Sequence, residues 1–127
     1  MKCNEIFKTA LCLLNEKGAE DENGDYAERA PYIISSMISE AAGADKRFRA
    51  ANGMEAQPPF SSVCTEMSED FPLCDRFASA AAFYLASLLI IDFNEELSDT
   101  FYDRYCDSMA SISCELPATA EKIRNVY

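Results

Sequence analysis

The sequence predicts an all-α fold, a small bundle of four main helices with a long irregular connection between the second and the third. Three observations carry this. Residues 76–93, RFASAAAFYLASLLIIDF, are apolar almost all the way around a helix. A helix with no polar face has to be enclosed on all sides, and about fifteen apolar residues fall short of the roughly twenty that cross a bilayer, so this segment reads as the buried axis of a helical domain. Three further segments repeat apolar residues every three or four positions, the mark of a helix with one buried face. Finally, 127 residues that are 49% hydrophobic can bury one core without staples and are too few for two ordinary domains. The expectation is a single helical domain over 1–127, with an irregular segment at about 43–73 and a tail at 117–127.

The first helix is placed from Asn4, a good N-cap, to Lys17, with Gly18 suited to end it in the left-handed conformation. Ile6, Phe7, Ala10, Leu11, Leu13 and Leu14 form its inward stripe, and the acidic turn EDENGD follows. The second helix is expected from Tyr26 to about Ala42, with Tyr26, Ala30, Ile33, Ile34, Met37, Ile38 and Ala41 inward. Pro31 predicts either a kink near Ala27 to Arg29 or a helix that begins at Pro31. Beyond Gly43 periodicity fades among Gly53, Pro58, Pro59 and Pro72, although ADKRFRAA could add a turn or two of helix. Phe60, Val63, Phe71 and Leu73 stand out as anchors for this stretch. In the third helix Ala78, Ala80, Ala81, Ala82 and Ala86 permit close approach, while Phe83, Leu85, Leu88, Leu89 and Ile91 fill the remaining space. The fourth begins at Asn94 as N-cap, with Glu95 and Glu96 where the helix dipole favours acids. Leu97, Phe101, Tyr105, Met109, Ile112 and Leu116 face inward, Tyr102 and Cys106 widen the stripe, and Pro117 ends the helix.

Composition excludes whole classes of activity. With 22 acids, 11 bases and no histidine, the formal charge is −11, and a phosphate backbone would bind against the field of the whole protein. The local bases Lys46, Arg47 and Arg49 read as a solvated helix end or loop that pairs with nearby acids. The six cysteines, at 3, 12, 64, 74, 106 and 114, form no CxxC, and without histidine a closed zinc site lacks material. Most sit beside apolar neighbours on helices, where a free thiol behaves as a small hydrophobe. Asp21, Asn23 and Asp25 alternate like the start of an EF-hand loop, but the glycine is misplaced and Tyr32 occupies the closing position. The opening residues reach an acid at Glu5, so no secretory leader is read and the chain is taken as cytosolic and reduced. No phosphate-cradling loop or nucleophile elbow is present. The ladder Asp99, Asp103, Asp107 reads as a solvated face, and Cys74 near Arg76 is the one faint candidate for an activated thiol. The expectation is no catalytic residues, no cofactor and no metal.

Several segments, taken in order, resemble a family of small uncharacterised phage and prophage proteins of Gram-positive bacteria, encoded near the head–tail junction genes. They are Cys3-Asn4-Glu5-Ile6-Phe7, Tyr26-x-x-Arg29-Ala30-Pro31-Tyr32-Ile33-Ile34, Phe71-Pro72-Leu73 with Asp75, and Ala82-x-x-Leu85-Ala86-x-Leu88-Leu89. Asn94-x-x-Leu97, Phe101-x-x-Arg104-Tyr105 and Ile123-x-x-Val126-Tyr127 complete the set. The stretch Gly43 to Gln57 is longer here than the family pattern. The resemblance implies an all-helical virion structural protein similar to head–tail connectors or adaptors, working through protein contacts with the portal or other virion proteins and through self-association. It implies residence in the host cytoplasm, or in the virion of a functional phage, and no nucleic-acid or membrane partner.

Phe60, Val63 and Phe71 in the connection, and Ile123, Val126 and Tyr127 in the tail, are the candidate protein-contact residues, because an apolar terminus has to be buried against something. A second reading of the same composition is a small acidic regulatory or inhibitory module that occupies a basic site on another protein.

Overall fold

The computed structural model of the protein describes residues 1–15, 24–61 and 65–115. Among these residues four α-helices follow in chain order: α1 (Cys3–Leu13), α2 (Gly24–Ala51), α3 (Ala78–Ile90) and α4 (Glu95–Cys114), with a 3-10 turn at Asp75–Phe77 leading into α3. The all-α bundle expected from the sequence is the fold observed. Among the described residues no helix is long and apolar enough to cross a membrane.

The apolar segment is the axis. Helix α3 packs against α1, α2 and α4, and Ala80, Ala81, Ala82, Leu85, Ala86 and Leu89 are all buried. Small side chains bring the neighbouring backbones close, and a helix surrounded on three sides needs no polar stripe. A four-residue turn, Ile91 to Asn94, then reverses the chain. The Asn94 Oδ1 accepts from the Leu97 N–H at 3.0 Å, capping α4 as its sequence predicts. Where α3 and α4 come closest, each of Ser87 and Ser98 donates its hydroxyl to the other's carbonyl, at 3.0 and 2.9 Å. Both serines are buried, so this reciprocal pair satisfies polar groups that water cannot reach.

Helix α2 is longer than its periodicity suggests. It continues through Pro31 and past Ala42 to Ala51, so the irregular connection starts at 52 rather than at 43. Pro31 gives up one ladder bond, but Ala30, Ile34, Met37, Ile38 and Ala41 lie buried on both sides of it, and that packing outweighs the loss. The extension is held from within: Asp45 is buried, and Phe48 meets Phe77 edge-to-face with ring centroids 5.9 Å apart.

Helix α1 also departs from expectation. Its N-cap is Lys2, not Asn4. The Cys3 and Asn4 N–H groups donate to the carbonyls of Glu69 (3.0 Å) and Met67 (2.9 Å), so the end of the connection, distant in sequence, supplies the acceptors a capping side chain would have provided. Phe71 N–H closes the same contact on the Met1 carbonyl at 2.8 Å, beside an isolated antiparallel bridge between Lys2 and Asp70. The left-handed residue after α1 is Asn15, with φ 59°. Gly18 and most of the acidic turn lie outside the described residues.

Several inward assignments are corrected. Leu13, Ile91, Tyr102 and Cys106 face solvent. Helix α4 packs chiefly on α3, so a single narrow stripe of Phe101, Tyr105 and Ile112 is buried and the residues that seemed to widen it are not. Cys12, Cys106 and Cys114 are free and exposed, while Cys3 and Cys74 are free and buried, so of the four helical thiols, Cys3, Cys12, Cys106 and Cys114, the small-hydrophobe reading holds for Cys3 alone.

Candidate protein-contact surface

One buried carboxylate organises the connection between α2 and α3. Asp45, on the inner face of the α2 extension, accepts the Cys74 N–H on Oδ1 at 2.8 Å. Its Oδ2 takes Arg49 Nε at 2.8 Å and Gln57 Nε2 at 2.9 Å. Arg49 then donates from Nη1 to the Glu55 carbonyl and from Nη2 to the Pro72 carbonyl, both at 3.0 Å, while Gln57 also reaches the Ala42 carbonyl at 3.0 Å. Three points of the connection, near 55, 57 and 72–74, are thereby tied to one turn of helix. Burial by itself would raise the Asp45 carboxyl, but the donors from Cys74, Gln57 and Arg49 outweigh it and hold the group below the ordinary carboxylate range. Of the basic cluster, Arg49 is thus committed inward and paired with an acid, while Lys46 and Arg47 remain exposed.

This anchoring decides where the candidate contact residues go. Phe71 is 7% exposed and belongs to the core, and Phe60 is half-buried against it. The segment that carries them is folded onto the bundle, so their apolar surface is largely used within the chain. Val63, Ile123, Val126 and Tyr127 lie outside the described residues.

Exposed apolar surface is found instead at the pole where α2 begins and α3 ends. Tyr32 is 57%, Ile91 45% and Phe93 71% exposed. Tyr32, Ile33, Leu88 and Ile91 floor an open cleft of about 550 Å³ whose rim carries Asp25, Glu28 and Arg29. Arg29 fixes this geometry by donating to the Leu88 carbonyl at 2.7 Å and to Asp25 Oδ2 at 3.1 Å, tying the start of α2 to the end of α3. Phe93 stands in the turn after Ile91 with its ring 6.5 Å from Tyr26, edge to face. The sequence reasoning missed this face. The apolar run continues to Ile91, which gives it the pattern of a core residue, but the helix ends at Ile90 and Ile91 is left exposed as its C-cap.

Reactive chemistry is not assembled around these residues. The Cys74 thiol is pushed up to about 11 by burial and by the Asp45 carboxylate beside it, and the Cys3 thiol to about 11 by burial and by Glu69 and Asp70. Cys74 is therefore not a poised nucleophile, and the base next to it is Arg49, already committed, rather than Arg76, which pairs with Glu115 at 2.7 Å. Tyr105 packs edge-to-face on Tyr84, centroids 5.0 Å apart, and burial and the neighbouring Glu40 keep its phenol protonated. Among the described residues no cluster of acids and cysteines is arranged to hold a metal ion. The chain matches no protein-family model, no curated protein and no solved structure.

Proposed function

We propose that this chain is a non-enzymatic phage or prophage structural protein, of the head–tail connector or adaptor kind, acting through self-association and contacts with the portal or other virion proteins. The observation that carries the reading is the open cleft floored by Tyr32, Ile33, Leu88 and Ile91, in which Tyr32 and Ile91 are exposed, on a chain whose large apolar residues are mostly enclosed among the described residues. Contiguous exposed apolar surface with a polar rim is what a protein-contact site presents. The ordered resemblance of seven segments to phage head–tail proteins supplies the biological setting: host cytoplasm, and the virion where the phage is functional.

Light scattering of the purified chain, alone and mixed with the portal protein of the same genome, tests this. Concentration-dependent assembly or a defined complex with the portal is expected. A chain that stays monomeric and ignores the portal overturns the proposal.

One feature favours the alternative of an acidic inhibitory module. Glu95, Glu96, Asp99, Asp103 and Asp107 all lie exposed on α4, in a protein of charge −11. Such a module would bind a basic protein in a strongly salt-dependent way. Replacing Asp99, Asp103 and Asp107 with Asn would abolish that binding, whereas the connector reading expects assembly to survive.

A further inference from the structure

The cleft at the α2–α3 pole combines an apolar floor with an acid at its edge. Tyr32, Ile33, Leu88 and Ile91 form the floor, and the exposed Glu28 stands on the rim, where Arg29 is already held by Asp25 and the Leu88 carbonyl. Deepening the protein-contact reading and resting on it, we infer that residues 123–127, IRNVY, of the same chain seat in this cleft as a latch, and that a partner gains the cleft by displacing them.

Composition singles out this segment. Residues 122–127 carry Lys122 and Arg124 and no acid, in a chain of formal charge −11, together with Ile123, Val126 and Tyr127 to fill an apolar floor. Lys122 and Arg124 beside Glu28 give charge complementarity at the edge, which fixes register. Residues 16–23, which lead into α2 beside the cleft, offer the reverse: Glu16, Glu20, Asp21 and Glu22 against the single base Lys17, and no large apolar side chain. Apolar groups of the segment and of the floor leave water together when they meet, which is the driving force for the contact.

Reach permits the contact, and tethering favours the chain's own segment over a second copy. Helix α4 ends where Glu115 pairs with Arg76, at the start of α3, and the cleft lies where α3 ends. The 13 residues of α3 put these points about 20 Å apart along the axis. One step between neighbouring helix axes adds about 10 Å sideways, which makes the direct path roughly 22 Å. The seven residues from 116 to 122 span up to about 25 Å, which brings Ile123 to the cleft and leaves 124–127 to lie along it. A segment tethered at that distance meets the cleft at an effective concentration on the order of millimolar. A second copy has to arrive from solution against the repulsion between two chains of charge −11, so at ordinary concentrations the attached segment occupies the cleft first. A protein partner can still displace it, because a whole interface buries far more surface than five residues do.

The chain has no tryptophan, so Tyr127→Trp in the full chain places a single fluorescent reporter at one end of the segment, and Ile123→Trp places one at the other. Far-UV circular dichroism confirms that each form is folded. Emission should be shifted to the blue of the urea-unfolded chain and should not change on dilution. Adding Ile91→Glu or Tyr32→Ser, both at exposed positions of the cleft, should return it to the red. Red emission from both reporters in the otherwise unaltered chain overturns the latch. So does a blue shift that survives both cleft substitutions, which would seat the segment elsewhere, and one that fades on dilution, which would make the occupant a second copy. A chain lacking 122–127 should bind portal protein more tightly than the full chain; equal affinity overturns the competition between segment and partner. If the emission behaves as expected and neither form binds the portal or assembles, the structural-protein reading falls while the seat of the segment stands.

Discussion

The α3–α4 hairpin and the connection 52–74 meet at the 3-10 turn Asp75–Phe77, and they are fixed by opposite means. The hairpin is held by shape. Its buried residues are mostly alanines and large aliphatic or aromatic side chains, and the buried polar contact between its two helices, Ser87 with Ser98, is closed on itself. Among its described residues the connection has little secondary structure and is held by a few directed bonds that converge on Asp45, with Phe71 and Leu73 inserted into the core beside them. Packing spreads stability over many small contacts, so one lost side chain costs a part of it. A buried ionised hub concentrates it, because removing one partner leaves the other donors without an acceptor.

The sharpest way to break this contrast is Asp45→Ala. It strands the Cys74 N–H, Gln57 and Arg49 together, and breaking a buried pair in this way costs about 3–5 kcal/mol. Chemical denaturation should show that loss, and hydrogen exchange should show Cys74 N–H losing protection while the α3–α4 hairpin keeps its own. Uniform loss of protection across both regions would mean that the connection and the hairpin unfold as one unit.

Leu85→Ala, at the centre of α3, removes a fully buried side chain and leaves a cavity, with an expected cost of roughly 2–5 kcal/mol. Here the loss should be global. A shift well under about 1 kcal/mol would mean that the site collapses around the cavity, against the low end of that range.

Acid should act on the connection first. Asp45 has a folded pKa depressed below the unfolded carboxylate value near 3.9. Its contribution is therefore complete above that value and disappears as pH falls through the lower folded one. Stability of the native chain should decline below about pH 4, and Asp45→Asn, which has already lost this contribution, should decline less steeply over the same interval. Parallel curves would show that other carboxylates, such as Asp70 beside Lys2, dominate the acid limb.

Smaller again is Ser87→Ala, which deletes one hydroxyl of a buried reciprocal pair and should cost about 0.5–1.5 kcal/mol by denaturation. A loss as large as that for Leu85→Ala would show that the hairpin depends on polar contacts as much as the connection does. The smallest perturbation is thiol labelling. Cys12, Cys106 and Cys114 should react quickly in the native protein, and Cys3 and Cys74, buried with raised pKa, only slowly. Mass spectrometry of the labelled peptides reads this directly. Rapid labelling of Cys74 would show that the hub opens readily without any substitution.

The class of fold, a buried axis within 76–93 and the start of α4 at Asn94 were legible in the sequence, because each depends on residues close together along the chain. Apolar periodicity, an N-cap with acids in the first turn and an uninterrupted apolar run are local signals, and the forces behind them act within a few turns of helix. The structure had to decide what depends on distant residues. Asp45 reads as one acid in a charged stretch until folding brings Gln57 and Cys74 to it, and only then does the extension of α2 to Ala51 make sense. The cap of α1 comes from carbonyls more than sixty residues away, at Met67 and Glu69, which no local pattern announces. The contact candidates show the same division. Phe71 has the composition of a binding residue and is buried by the chain's own packing, whereas Ile91 has the composition of a core residue and is left exposed where α3 ends. Hydrophobicity belongs to the residue, but whether water can reach it is a property of everything packed around it, and that is set only when the helices have found their places.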